Sequence, residues 1–74
     1  MKLYTKTVCP RCLLIKSEVQ RSGKGVEIIN IDHDETARER LLSAGIMTVP
    51  VLETDGRFWI NPEDILGKLG VANR

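Results

Sequence analysis

Apolar and polar positions alternate in "MKLYT" at the start of the chain, the period-two pattern of a short strand. A helix is predicted from Pro10 to about Ser22. Proline suits its first position, and Gly23 and Gly25 mark its exit. "VEIINI" (26–31) is rich in β-branched residues and reads as a buried strand. Asp32 or Asp34 can cap a second helix, in which Ala37, Leu41 and Ala44 fall at i, i+4 and i+7 on one face and which Gly45 can end. "VPVLET" begins a third strand and "RFWI" supplies a fourth. Asp55-Gly56 between them is a strong signal for a two-residue hairpin. Asn61 caps a last helix with Pro62 at its first position. Ile65, Leu66 and Leu69 form its apolar stripe, and Gly70 ends it.

The predicted order is βαβαββα. Its β-α-β start implies two parallel strands and its late hairpin two antiparallel ones, giving a four-stranded mixed sheet flanked by three helices, an α/β fold. With 74 residues, one domain over 1–74 is expected. A chain this short buries roughly 60% of its unfolded surface and is marginally stable. The hydrophobic fraction of 42% is that of a globular protein and argues against disorder. No apolar run approaches the roughly 20 residues of a membrane span, and "MKLYTK" lacks the apolar stretch of a signal peptide. A cytoplasmic location is expected, where thiols are kept reduced. The net charge of +1 argues against nucleic acid as the main partner.

Composition matters most through the two cysteines. Cys9 and Cys12 lie in "TKTVCPRCLLIK" (5–16), inside a stretch where Lys2, Lys6, Arg11, Lys16, Arg21 and Lys24 face one acid, Glu18. The order of elements puts them at the turn after the first strand, where sites of open α/β sheets commonly lie. A permanent crosslink at this spacing closes a tiny loop and removes little unfolded-state entropy. With Cys9 at the helix N-cap, Pro10 needs no hydrogen bond, and the free amides of Arg11 and Cys12 face the Cys9 sulfur. That positive end favours a thiolate, as do the nearby charges of Lys6 and Arg11. Cys12 falls one turn further in and should be more buried.

Magnitudes decide which effect dominates. An ordinary thiol of pKa about 8.5 is roughly 3% thiolate at pH 7, and lowering it by about two units raises that fraction about 25-fold. Nucleophilicity then falls about 8-fold at a Brønsted slope near 0.45, so attack gains only about threefold. The tethered second thiol matters more. Once Cys9 holds a mixed disulfide, Cys12 attacks it intramolecularly, and the low pKa of Cys9 makes it the better leaving group.

"MTVP" (47–50) stands where the third strand begins, and Pro50 restricts pairing there. A cis bond before Pro50 would bring the Val49 backbone beside the cysteines. Its free amide and carbonyl could then hold an extended substrate as an added strand. "CPRC" after a first strand, "TVP" at 48–50 and the βαβαββα order together resemble the glutaredoxins and glutaredoxin-like redoxins of the thioredoxin fold, over nearly the whole chain. The resemblance implies a thiol–disulfide oxidoreductase with nucleophilic Cys9, resolving Cys12 and a cis Pro50. Substrate contacts are expected at Lys6, Pro10, Arg11, Thr48, Val49 and Pro50. Lys6 matches a basic position that helps bind a glutathione carboxylate, and Thr48 and Val49 match residues of the same groove. Arg11 stands where the family usually has an aromatic. "FWINPED" stands where many glutaredoxins carry Gly-Gly followed by Asp. The tryptophan before this loop also resembles the redoxins that serve ribonucleotide reductase. The expected partners are therefore disulfide-containing proteins, with glutathione or thioredoxin reductase as electron donor. No metal or organic cofactor is required, glutathione being a candidate reductant, and a monomer is expected.

The rival reading is a metal-ion carrier with a CxxC loop, or two chains bridging an ion or iron–sulfur cluster through four cysteines. A closed zinc site needs four ligands, whereas this chain offers two cysteines and His33 in an acidic turn. Small ferredoxin-like carriers also follow a different order, βαββαβ.

Overall fold

The computed structural model describes residues 1–70. Strand β1 (Lys2–Thr5) leads into helix α1 (Pro10–Ser22), then β2 (Glu27–Asn30), α2 (Glu35–Ser43), β3 (Val51–Thr54), β4 (Arg57–Trp59) and α3 (Pro62–Lys68). The sheet order is β2-β1-β3-β4. β1 runs parallel to β2, with Thr5 beside Asn30, and antiparallel to β3, with Tyr4 beside Val51. β3 and β4 are antiparallel. This is the architecture that the element order implies.

The turns form for local reasons. Asp55 and Gly56 both have positive φ, 56° and 75°, as a primed two-residue hairpin requires. Asp34, not Asp32, caps α2 by accepting the Ala37 amide. Asn61 caps α3 by accepting the Glu63 amide, with Pro62 next. Gly23, at φ 72°, takes the left-handed turn that stops α1.

The pleat divides the core in two. Leu3 and Leu52 face one side and pack with Ile15 and Val19 of α1 and with Ile65 and Leu69. Tyr4 and Val51 face the other and pack with Ile31 and with Ala37 and Leu41 of α2. Helices thus cover β1 on both faces, and Leu3, Tyr4 and Thr5 are all buried. The alternation in "MKLYT" therefore marks a strand without marking a wet face. "VEIINI" corrects the expectation in the other direction. β2 is an edge strand, Ile28 is 37% exposed, and only Ile31 beyond the strand is buried. Ala44 also departs from the predicted stripe: it is the exposed C-cap of α2. Trp59 packs against the first core cluster with the Lys68 ammonium 4.6 Å from its ring centroid.

One polar network ties α2 to the sheet. The Tyr4 hydroxyl donates to Glu53 Oε1 at 2.6 Å, and Arg40 pairs with Glu53 Oε2. The same guanidinium lies 5.9 Å from the Phe58 ring centroid. Burial, then the bond to Glu53, pushes the Tyr4 phenol up to about 12. The Tyr4 hydroxyl, then Arg40, holds the Glu53 carboxyl below the usual carboxylate range. The two groups give opposite pH limbs. Glu53 has a depressed folded pKa, so its contribution is present above the unfolded value and is lost as pH falls through the folded one. Tyr4 has a raised folded pKa, so its contribution is full below about 10 and is lost as pH rises from there to about 12. Tyr4→Phe should lower stability at pH 7 by about 1.5–3 kcal/mol, the worth of a hydrogen bond to a charged group. It should also remove the tyrosine's share of the alkaline decline. Urea unfolding midpoints across pH 3–12, compared between the two proteins, check both effects.

Candidate active site

The loop Lys6–Cys9 leaves the carboxyl end of the central strand and delivers Cys9 to the start of α1. Cys9 is the N-cap, with extended backbone at φ −155° and ψ 96°. Its Sγ accepts the Cys12 amide at 3.1 Å, and Pro10 occupies the first helical position. The Arg11 amide makes no such bond, so one of the two expected amides engages the sulfur. The cysteines are joined as a disulfide with Cα atoms 5.2 Å apart, well inside the range such a bridge spans. Cys9 is half-buried, and Cys12 is 1% exposed. The outer sulfur is the reachable one, as the N-cap argument requires.

The Val49–Pro50 peptide is cis. Pro50 is buried and Val49 half-buried, packed on the α2-side core. Lys6, Thr48 and Val49 line one groove of about 190 Å³ together with Met47 and with Arg38 and Leu41 of α2. Lys6, Thr48 and Met47 are exposed, Met47 at 86%. Arg11 is not part of that groove. It lines a second one, of about 390 Å³, with Leu14, Ile15 and Glu18 of α1 and Pro62 and Leu66 of α3. The site residues named from the sequence thus fall in two separate grooves, and neither lining includes Cys9, Pro10 or Cys12. Lys6, Thr48 and Val49 come together; Arg11 is separated from them.

Two residues at this end of the sheet take roles that the sequence did not suggest: Arg38, and Asp32, which it offered only as a helix cap. Arg38 adds a second cation to the Lys6 groove; nothing local marks it among the charges of "ETARER". Asp32 accepts the Thr7 amide on Oδ2 at 2.9 Å. The Thr7 amide, more than anything else, holds the Asp32 carboxyl below the usual range; Lys6 and a charged His33 act in the same direction. Among the described residues, no group of three or more His, Cys, Asp or Glu is gathered to hold a metal ion. Nor is any helix there long and apolar enough to cross a membrane.

A mixed four-stranded sheet with a CxxC pair at the helix after its central strand, and a cis-proline strand start, defines a dithiol protein of the thioredoxin fold. The glutaredoxin family profile matches residues 1–59, and the chain belongs to that family. It is a thiol–disulfide oxidoreductase whose redox-active pair is Cys9 and Cys12. Among solved structures, the glutaredoxin-like protein NrdH-redoxin from Escherichia coli is 29% identical, with a TM-score of 0.76 over 86% of this chain and 87% of that one. The thioredoxin-like protein BC3987 is 26% identical, with a TM-score of 0.79 over 92% and 96%. A point mutant of BC3987, at 23% identity and a TM-score of 0.83 over 95% and 94%, speaks for the fold alone. No curated protein sequence matches the chain. The observed βαβαββα order is not the βαββαβ order of the ferredoxin-like carriers.

The burial difference predicts unequal thiol reactivity after reduction. Iodoacetamide should alkylate Cys9 in the native protein and reach Cys12 at a comparable rate only on unfolding. Peptide mapping by mass spectrometry after timed quenching checks this.

Proposed function

We propose that the chain reduces disulfides of protein partners by a two-step dithiol exchange. The Cys9 thiolate attacks one sulfur of the substrate disulfide. The Cys9–substrate bond forms as the substrate S–S bond breaks, and the departing thiolate takes a proton from water. Cys12 then gives up its proton and attacks the Cys9 sulfur. The second substrate thiolate leaves, and the Cys9–Cys12 disulfide closes. Two electrons pass from the dithiol to the substrate, and an external dithiol or two glutathione molecules return them.

The observation that carries this reading is the position of Cys9, its sulfur on the Cys12 amide at the helix start while Cys12 stays buried behind it. The amide dipole stabilises negative charge on the outer sulfur, both as attacking thiolate and as leaving group. Lys6, Thr48, Val49 and Pro50 offer one substrate wall, Val49 through backbone groups that can pair with an extended strand. Arg11 lines the second groove, and Pro10 precedes it at the helix start. No metal or organic cofactor enters the cycle, and the working location is the reducing cytoplasm. The domain acts as a monomer.

The preferred electron donor on this reading is thioredoxin reductase, with glutathione the alternative. Two observations support the preference. Glu63 and Asp64 occupy the first turn of α3, where they oppose a glutathione carboxylate. The similar Escherichia coli NrdH-redoxin is described as a glutaredoxin-like protein with a thioredoxin-like activity profile.

Cys9→Ser should abolish disulfide reduction, whereas Cys12→Ser should attack once and accumulate mixed disulfides visible as mass adducts. Wild-type turnover by Cys9→Ser would overturn the assignment. Oxidised protein supplied with NADPH and thioredoxin reductase should be reduced faster than with glutathione, its reductase and NADPH. The reverse order would assign the donor to glutathione.

A further inference from the structure

The loop that carries Lys6, Thr7 and Val8 to Cys9 is exposed throughout and belongs to no helix or strand. Its midpoint is nevertheless held from the neighbouring loop. Asp32 Oδ2 accepts the Thr7 amide at 2.9 Å. Asn30 Nδ2 donates to Thr7 Oγ1 at 3.1 Å. Asn30 in turn accepts the Asp32 amide on Oδ1 at 2.9 Å, so the two latch residues fix each other. The Ile31 amide donates to the Thr5 carbonyl at 2.8 Å, continuing the ladder one step past the end of β2. Thr7 thus takes its backbone and side-chain bonds from the β2 side, two residues before the cysteine.

We propose that Asp32 is a positioning residue for Cys9, acting through the Thr7 amide to hold the Lys6–Val8 loop so that the sulfur stays on the helix start. The inference rests on Cys9 being the nucleophile. Asp32 touches neither cysteine. Without its carboxylate, the Thr7 amide has water as its partner, and the loop swings about the end of β1. Cys9 then leaves the N-cap geometry for part of the time. A nucleophile misplaced even slightly loses rate steeply, and a sulfur away from the helix start loses the amide that stabilises its charge. The latch has a logic that Asp34 lacks, although both lie in the same short turn. Asp34 caps its own helix, whereas Asp32 reaches across to the loop of the reactive strand.

Three effects of removing Asp32 differ in sign. Loss of a nearby negative charge alone would make the Cys9 thiolate easier to form, moving the pH midpoint of its alkylation down. Loss of stability alone would leave that midpoint in the folded protein unmoved. Loss of position moves it up. The other charged groups facing Asp32 are Lys6, from the reactive loop, and His33, from its own turn. Both remain in every variant compared.

The experiment compares Asp32→Ala with Asp32→Asn. Asparagine lacks the charge but keeps an oxygen that can accept the Thr7 amide. The pH profile of iodoacetamide alkylation at Cys9, kcat/KM for a disulfide substrate and the urea midpoint are measured on reduced protein. Asp32→Ala should raise the alkylation midpoint and lower kcat/KM about tenfold at pH 7, while Asp32→Asn keeps most of the rate with no upward shift. A midpoint in Asp32→Ala that is unmoved or lowered overturns the proposal. So does a rate loss no larger than the loss of folded protein. The Cys9→Ser control separates the two levels. If that variant still turns over, the nucleophile assignment fails; if it is dead and Asp32→Ala behaves as wild type, only the latch fails.

Discussion

The strand Lys2–Thr5 at the centre of the sheet is the constraint on which the rest depends. It pairs on both edges and is covered on both faces, so its register leaves little freedom. A one-residue slip would exchange Leu3 with Tyr4 between the two cores. A phenol hydroxyl would then enter the cluster of Leu52, Ile65 and Leu69, and Glu53 would lose its bond from Tyr4. The same register fixes the site. The residues that follow β1 leave the sheet at a defined height, and Cys9 is the fourth of them.

Much of this order is legible in the chain because it is set locally. Pro10 and Pro62 at first helical positions, Asn61 as a cap, Asp55-Gly56 with positive φ and Gly23 past a helix each need only their neighbours to act. The thiol chemistry is local as well. An N-cap sulfur, a helix amide and a second thiol one turn behind follow from "CPRC" once the helix start is known. Features that depend on pairing are not legible in this way. "VEIINI" has the composition of a buried strand but lies at an edge, because the described residues form a four-stranded sheet in which β1 and β3 take the middle. Its β-branched residues suit a pleated surface whether or not that surface is covered. The alternation of "MKLYT" fails as a guide to burial for the converse reason: both faces of β1 carry helices.

The polar networks show the same division at finer scale. Tyr4, Arg40 and Glu53 lie far apart in the chain and meet only because β3 runs antiparallel beside β1 while α2 crosses one face. A phenol, a carboxylate and a guanidinium there seat α2, whose Arg38 and Leu41 then form a wall of the groove that Lys6, Thr48 and Val49 share. Arg11, two residues from Cys9, instead lines the cleft between α1 and α3. Closeness in sequence to Cys9 is thus a poor guide to which groove a side chain lines.

Asp32 joins the two scales. In the parallel pair of β1 and β2, Thr5 stands beside Asn30. Carrying that register two residues further sets Thr7 against Asp32, and the two are hydrogen-bonded there. A sequence reading that offers either acid of "DHD" as the helix cap has no reason to separate them. The register does: one acid lies opposite the reactive loop, and the other is at the start of its own helix. The parallel pairing of β1 and β2 therefore continues into bonds to Thr7, in the segment leading to Cys9. Thr7, two residues before Cys9, is bonded to Asn30 and Asp32, so the loop that leads to the helix shares its register with the end of β2.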